Sequence, residues 1–155
     1  MKKIIFLLVA LVSVSLTAQT FTATVTRVKD GDTFVVVDSL KAEHTIRLQG
    51  VDCPEKKQAH GADATAFSTK CILGKTVTVQ VVNKDRYFRE VSWVTFDKKL
   101  NLSRELLKAG LAWHYKEYDN SRYLQILENR AKKAKLGLWA DENPIYPSIY
   151  RNTKK

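Results

Sequence analysis

Within twenty-six residues the chain sets out five groups suited to a phosphodiester and a hard metal ion: Asp30 and Asp32 around Gly31, then Arg47, then Asp52 and Glu55 either side of Cys53-Pro54. A second charged block, Asp85-Arg86-Tyr87-Phe88-Arg89, follows. A phosphodiester resists hydrolysis because its negative charge repels a nucleophile. Cutting it requires an activated water and positive charge set against the oxygens of the transition state. Carboxylates that hold a cation, and arginine forks that grip phosphate oxygens, do those two jobs. Asp32 and Asp52 are the candidate carboxylate ligands and the main-chain carbonyl of Cys53 a third oxygen donor, a set that by itself admits calcium, magnesium or manganese.

Each group also has an ordinary reading. Asp30-Gly31-Asp32 is a common hairpin turn, Asp52 can simply end a strand before Pro54, and Glu55 can start the next segment. Arg47 falls on the polar side of an alternating strand, and Arg86 and Arg89 can be two more charges on a basic surface. The joint pattern, in this order and at these intervals, is what points to chemistry.

The flanking sequence supplies elements that could hold these groups together. Residues 21–28, 33–37 and 44–51 read as three antiparallel strands, which brings Asp32, at the first turn, and Asp52, just past the third strand, to the same end of a meander. Residues 61–72 have helical content closed by Gly74. Residues 75–82 and 90–96 read as two further strands. Asn101 and Ser121 are suitable N-caps for two more helices, the second with Leu124, Leu127, Ala131 and Ala134 on one stripe and Lys132, Lys133 and Lys135 in its last turn. The expected fold class is α+β, mainly β: a five-stranded OB-fold barrel with three packed helices. Residues 19–142 form the expected domain and residues 143–155, with Pro144 and Pro147, a tail across its surface.

Residues 1–18 have the form of a signal peptide: basic Lys2 and Lys3, an apolar run from Ile4 to Val14, and a small residue, Ala18, at the expected cleavage point. The run is shorter than the ~20 residues a membrane span takes, so a secreted or periplasmic protein with no stable membrane association after cleavage is expected. The formal charge is +10, and about +8 without Lys2 and Lys3, which favours a polyanionic partner. In an oxidising compartment Cys53 and Cys71 form a disulfide only if their Cα atoms come within about 7 Å. Together with His44, His60 and His114 they lack the spacing of a zinc site. Nothing argues for an oligomer, and a monomer is expected.

From about Ala23 to Trp139 the chain resembles the staphylococcal nuclease family, the thermonucleases. The blocks that carry the likeness are Val28-Lys29-Asp30-Gly31-Asp32-Thr33, residues 46–55 from Ile46 to Glu55, Asp85-Arg86-Tyr87-Phe88-Arg89, Ala109-Gly110-Leu111-Ala112 and Lys135-Leu136-Gly137-Leu138-Trp139. The resemblance implies an OB-fold barrel with three helices and a phosphodiesterase that uses one calcium ion, acts on DNA and RNA, and leaves 3′-phosphate ends. It implies Asp32, Asp52 and the Cys53 carbonyl as metal ligands with Asp30 behind them, Arg47 and Arg89 as phosphate-binding arginines, and Glu55 as general base or orienter of the attacking water. Tyr87, Tyr115 and Tyr118 are candidates to border or stack on a nucleotide base, against aromatic packing on the barrel for the last two.

Two departures stand out. Phe88 occupies a place where relatives commonly have Gly, in a turn whose positive φ a bulky residue resists. The segment from Glu55 to Gly61 is shorter than the loop of the best-known member. Two other classes compete with the nuclease reading: a non-catalytic nucleic-acid-binding OB-fold module, which needs only basic surface and aromatics, and a metal-independent ribonuclease using paired histidines.

Overall fold

Alternation of small or branched apolar residues with Thr drives the first strand, β1 (Thr20–Val28), which buries Ala23 and Val25 and leaves its Thr side chains outward. The turn at Asp30-Gly31-Asp32 reverses the chain into β2 (Thr33–Asp38), and a second reversal gives β3 (Glu43–Leu48) and the short β4 (Val51–Asp52). Helix α1 (Gly61–Ile72) precedes β5 (Thr76–Lys84) and β6 (Glu90–Phe96). The remainder is β7 (Leu100–Asn101), α2 (Leu102–Lys108), β8 (Trp113–His114), α3 (Arg122–Lys133), a 3₁₀ turn at Gly137–Ala140 and α4 (Pro147–Asn152). This computed structural model describes residues 19–153; the expected leader at 1–18 lies outside the described residues. None of the described helices is long and apolar enough to cross a membrane.

Strands β3, β2, β1, β5 and β6 are hydrogen-bonded in that order, and a parallel pairing of β3 with β6, Ile46 opposite Glu90 and Leu48 opposite Ser92, closes the ring. The expected five-stranded OB-fold barrel is therefore the observed one. Its interior holds Val25, Phe34, Val36, Ile46, Leu48, Val79 and Val94, and α1 and α2 cover it with Ala64, Ile72, Leu102, Leu106 and Leu107. Burial of each such Leu or Ile contributes about 1.5–3 kcal/mol. Both anticipated N-caps form: Asn101 accepts from the Arg104 amide at 3.1 Å and Ser121 from the Leu124 amide at 3.3 Å.

One expectation is extended, and one pairing that the sequence left open is answered. Among the described residues there are four α-helices, because the segment expected to be a tail across the surface forms α4, started by Pro147 at its first turn. It offers no apolar stripe of its own and is fixed by contacts from elsewhere: Gln58 Nε2 donates to the Ile145 carbonyl at 2.6 Å, Tyr150 Oη donates to the Lys57 carbonyl at 2.8 Å, and Tyr146 stacks edge-on against Trp113. The disulfide considered for Cys53 and Cys71 is absent; both are free thiols.

Candidate active site

Strand register decides which residues meet at the open end of the barrel. Thr33 lies opposite Arg47 and Arg47 opposite Val91, so β2, β3 and β6 carry Asp32, Arg47 and Arg89 to one place. The turn that presents Asp32 is clamped from behind by α1. A Cβ on Gly31 would sit 2.8 Å from Cβ of Ala64 and 2.9 Å from Cβ of Cys53, and Ser68 Oγ donates to the Gly31 carbonyl at 2.6 Å. Only glycine allows this approach.

Arg47 is the hub. Its Nη1 donates to the carbonyls of Leu48 and Val51 at 2.8 Å each, and its Nη2 lies 2.9 Å from Asp52 Oδ1 and 3.3 Å from Asp32 Oδ2. Asp32 Oδ2 also accepts from the Cys53 amide at 2.6 Å, while its Oδ1 accepts from Thr33 Oγ1 at 3.0 Å. Asp30 Oδ1 accepts from the Asp32 amide at 3.2 Å. All three side chains of this hub, Asp32, Arg47 and Asp52, are buried. Burial works against the Arg47 charge, yet Asp32 and Asp52 outweigh it and raise its pKa. Asp52 is pushed up by burial and by Asp32, with Arg47 and Arg151 pulling the other way. Asp30 rises to about 7, through burial first and then the neighbouring Asp32. Two buried carboxylates converge on one buried guanidinium, with Arg151 reaching Asp52 from the exposed side, and their closeness to each other favours a further positive charge between them.

The ligand set fits a hard cation. Asp32 and Asp52 converge on the same nitrogen atom and so on the same space. Among the described residues no three His, Cys, Asp or Glu side chains gather in a metal-holding cluster. An ion here would complete its shell with a carbonyl, such as that of Cys53, and water, as calcium and magnesium do. The Cys53 thiol itself is held far above its usual range by burial and by Asp32, and is no ligand at neutral pH.

Arg89 is positioned differently. Asp85 accepts from the Tyr87 amide at 2.9 Å, the Arg89 amide at 3.0 Å and Arg89 Nε at 2.7 Å, so one carboxylate builds the turn and holds the guanidinium. Burial works against the Asp85 charge, yet these bonds outweigh it and hold the carboxyl below the usual carboxylate range. Phe88 does take the positive φ that its position demands, 62°, with its ring projecting into solvent. Arg89 still reaches the site, its Nη1 lying 3.5 Å from Thr33 Oγ1.

Every residue singled out from the sequence, Asp30, Asp32, Arg47, Asp52, Cys53, Glu55, Tyr87, Arg89, Tyr115 and Tyr118, borders one open cleft of about 960 Å³. Tyr115 and Tyr118 pack against each other, ring centroids 4.9 Å apart, on its rim, and Arg86 and Arg89 both lie over the exposed Tyr87 ring. The three histidines lie outside the cleft lining. His44 bridges Asp38 and Glu90, His60 bridges Asp63 and Asp141, and His114 is buried against Asp119.

Sequence reasoning missed Arg151. Its Nη1 lies 2.7 Å from Glu55 Oε1 and its Nη2 3.1 Å from Asp52 Oδ2. One more basic residue in a basic tail carries no local signal of this. Asp85 was seen only as part of a charged block, although an Asp two and four residues ahead of the amides it caps is a recognisable turn pattern.

The staphylococcal nuclease homologue profile matches residues 45–141. An uncharacterized endonuclease of Escherichia coli O157:H7 is 42% identical over 130 residues, covering 84% of each chain. An uncharacterized endonuclease of Haemophilus influenzae is 38% identical over 135 residues, covering 86% of this chain and 75% of the relative. The staphylococcal-like nuclease CAN1 of Arabidopsis thaliana is 39% identical over 116 residues, 75% of this chain and 36% of that longer protein. Barrel, cleft and sequence agree, and the chain belongs to the staphylococcal nuclease family.

Proposed function

We propose that this chain is a secreted or periplasmic, monomeric, calcium-dependent nuclease that hydrolyses phosphodiester bonds of DNA and RNA and leaves 3′-phosphate ends. The observation that carries the reading is the convergence of Asp32 and Asp52 on Arg47 at the floor of a cleft that Glu55 and Arg89 also line. A calcium ion held by Asp32, Asp52 and the Cys53 carbonyl would draw charge from the phosphoryl oxygens. Arg89, reaching in from the loop before β6, grips the remaining phosphate oxygens, and Arg47 in β3 sets its buried positive charge against them, so that together they hold the ester for in-line attack. Glu55 accepts the proton of the attacking water or fixes its direction. Bond breaking at the 5′ oxygen leaves the phosphate on the 3′ side. Tyr115 and Tyr118 on one rim and Tyr87 on the other border the flanking nucleotides.

Digestion of single-stranded DNA, duplex DNA and RNA by residues 19–155, with calcium, with magnesium and with excess chelator, tests this. Cutting is expected with calcium, none with chelator, and a loss of about 10²–10⁴-fold for Glu55→Gln. Binding without cutting under every metal makes the chain a nucleic-acid-binding barrel instead. Cutting that persists in chelator points to a metal-independent ribonuclease, against which stand the three histidines, each tied to carboxylates outside the cleft.

A further inference from the structure

Helix α4 does more than cover the barrel. Its Arg151 enters the carboxylate cluster, so that both oxygens of Asp52 are engaged by guanidinium groups: Oδ1 by Arg47 at 2.9 Å, and Oδ2 by Arg151 Nη2 at 3.1 Å with its Nη1 3.5 Å from Oδ1. The same Arg151 holds Glu55 at 2.7 Å. The fork is aimed by the docking of the segment beneath it, through the Gln58 amide on the Ile145 carbonyl, the Tyr150 hydroxyl on the Lys57 carbonyl and the buried Pro147. Two of these contacts grip the loop that follows Glu55, so the tail and the loop that carries Glu55 form one unit.

We infer that Arg151 is an internal competitor of the divalent cation: it neutralises Asp52 and Glu55 in the metal-free chain and must yield Asp52 when the ion binds. The inference rests on Asp52 being a ligand, as proposed above. A hard cation sits about 2.3–2.6 Å from a carboxylate oxygen. A guanidinium about 3 Å from the same carboxylate then faces a double positive charge at close range, and the two repel. Arg47 cannot relieve this by moving, since its Nη1 is bonded to two main-chain carbonyls inside the barrel end. Arg151 can, because its side chain is 41% exposed and stands on the last turn of a terminal helix. The cation affinity of this chain is therefore set partly by its own C-terminal segment, which supplies a positive charge to the cluster whenever metal is scarce.

Calorimetric titration with calcium at fixed ionic strength, on residues 19–155 and on Arg151→Ala, Arg151→Lys and Asp52→Asn variants, tests this without reference to turnover. Thermal unfolding in chelator checks that each variant is folded. Arg151→Ala is expected to bind calcium roughly three- to tenfold more tightly than the parent, with Arg151→Lys, which keeps a charge but loses the fork, in between. Affinity equal to or weaker than the parent's in Arg151→Ala overturns the inference. If Asp52→Asn binds calcium as tightly as the parent, the proposed ligand set is wrong, and that failure is distinct from a failure at Arg151.

Discussion

Arg47 and Arg89 have the same side chain and face the same cleft, but the molecule holds them in opposite ways. Arg47 is buried in the barrel end, its fork spent on two main-chain carbonyls and two carboxylates. Arg89 stands on a loop, with a single carboxylate, Asp85, serving as turn-builder and partner together. One arginine is part of the structure that it works from; the other is mounted on the structure and can be exchanged with less damage. Burial ties function to stability at the first position and separates them at the second.

The sharpest test of that contrast is a pair of alanine variants. Arg47→Ala leaves Asp32 and Asp52 buried without their shared cation, and in chelator it is expected to lose about 3–5 kcal/mol of stability along with activity. Arg89→Ala, in a partly exposed pair, is expected to lose under about 1 kcal/mol of stability while cutting falls by about 10²–10³-fold. Urea unfolding and rate measurements on both check this, and equal melting of the two variants breaks the comparison. Asp85→Ala should reproduce most of the Arg89→Ala rate loss, because it removes what aims the guanidinium.

The acidic side of the buried region predicts a pH effect opposite in sign to the one that the lowered Asp85 gives the loop. Asp30 titrates near 7 in the folded chain against 3.8 when unperturbed, so between those values the folded state binds more protons than the unfolded one. Its stabilising contribution is complete below about pH 4 and is lost as the pH rises through 7, by up to about 4 kcal/mol in chelator. Asp30→Asn should flatten that slope in unfolding curves taken from pH 4 to 8. A slope unchanged in the variant removes Asp30 as its source.

The smallest expected effect concerns Phe88. A non-glycine residue at φ 62° is strained, and this ring is 88% exposed and so gains little from packing. Phe88→Gly should therefore stabilise by about 1 kcal/mol or slightly less, after the entropy that glycine adds to the unfolded chain. A higher melting temperature with the cutting rate kept supports this, and destabilisation would mean that the ring holds the turn.

The barrel was legible because its signals are local. Alternating Val and Thr in residues 20–28, the caps Asn101 and Ser121, and the turn at Gly31 each state their own geometry. The cleft was legible because strand register is arithmetic: a meander of known length returns Asp52 to Asp32. Helix α4 was not legible, since it is held by Gln58 meeting Ile145 and Tyr150 meeting Lys57, pairings about ninety residues apart that no periodicity announces. The site of Arg151 follows from those contacts and was invisible for the same reason. Phe88 shows the reverse case, in which a local rule foresaw strain and Asp85 held the turn in spite of it.

The parallel pairing of β3 with β6 has a kinetic consequence. Ile46 and Glu90 meet only after the forty-odd residues between them, α1 and β5 included, have found their places, and non-local pairings of this kind form slowly. Until that ring closes, Arg47 and Arg89 belong to separate pieces of chain and no phosphate is gripped between them. Refolding followed by two clocks, helix content and recovered cutting, is expected to show the second lagging the first.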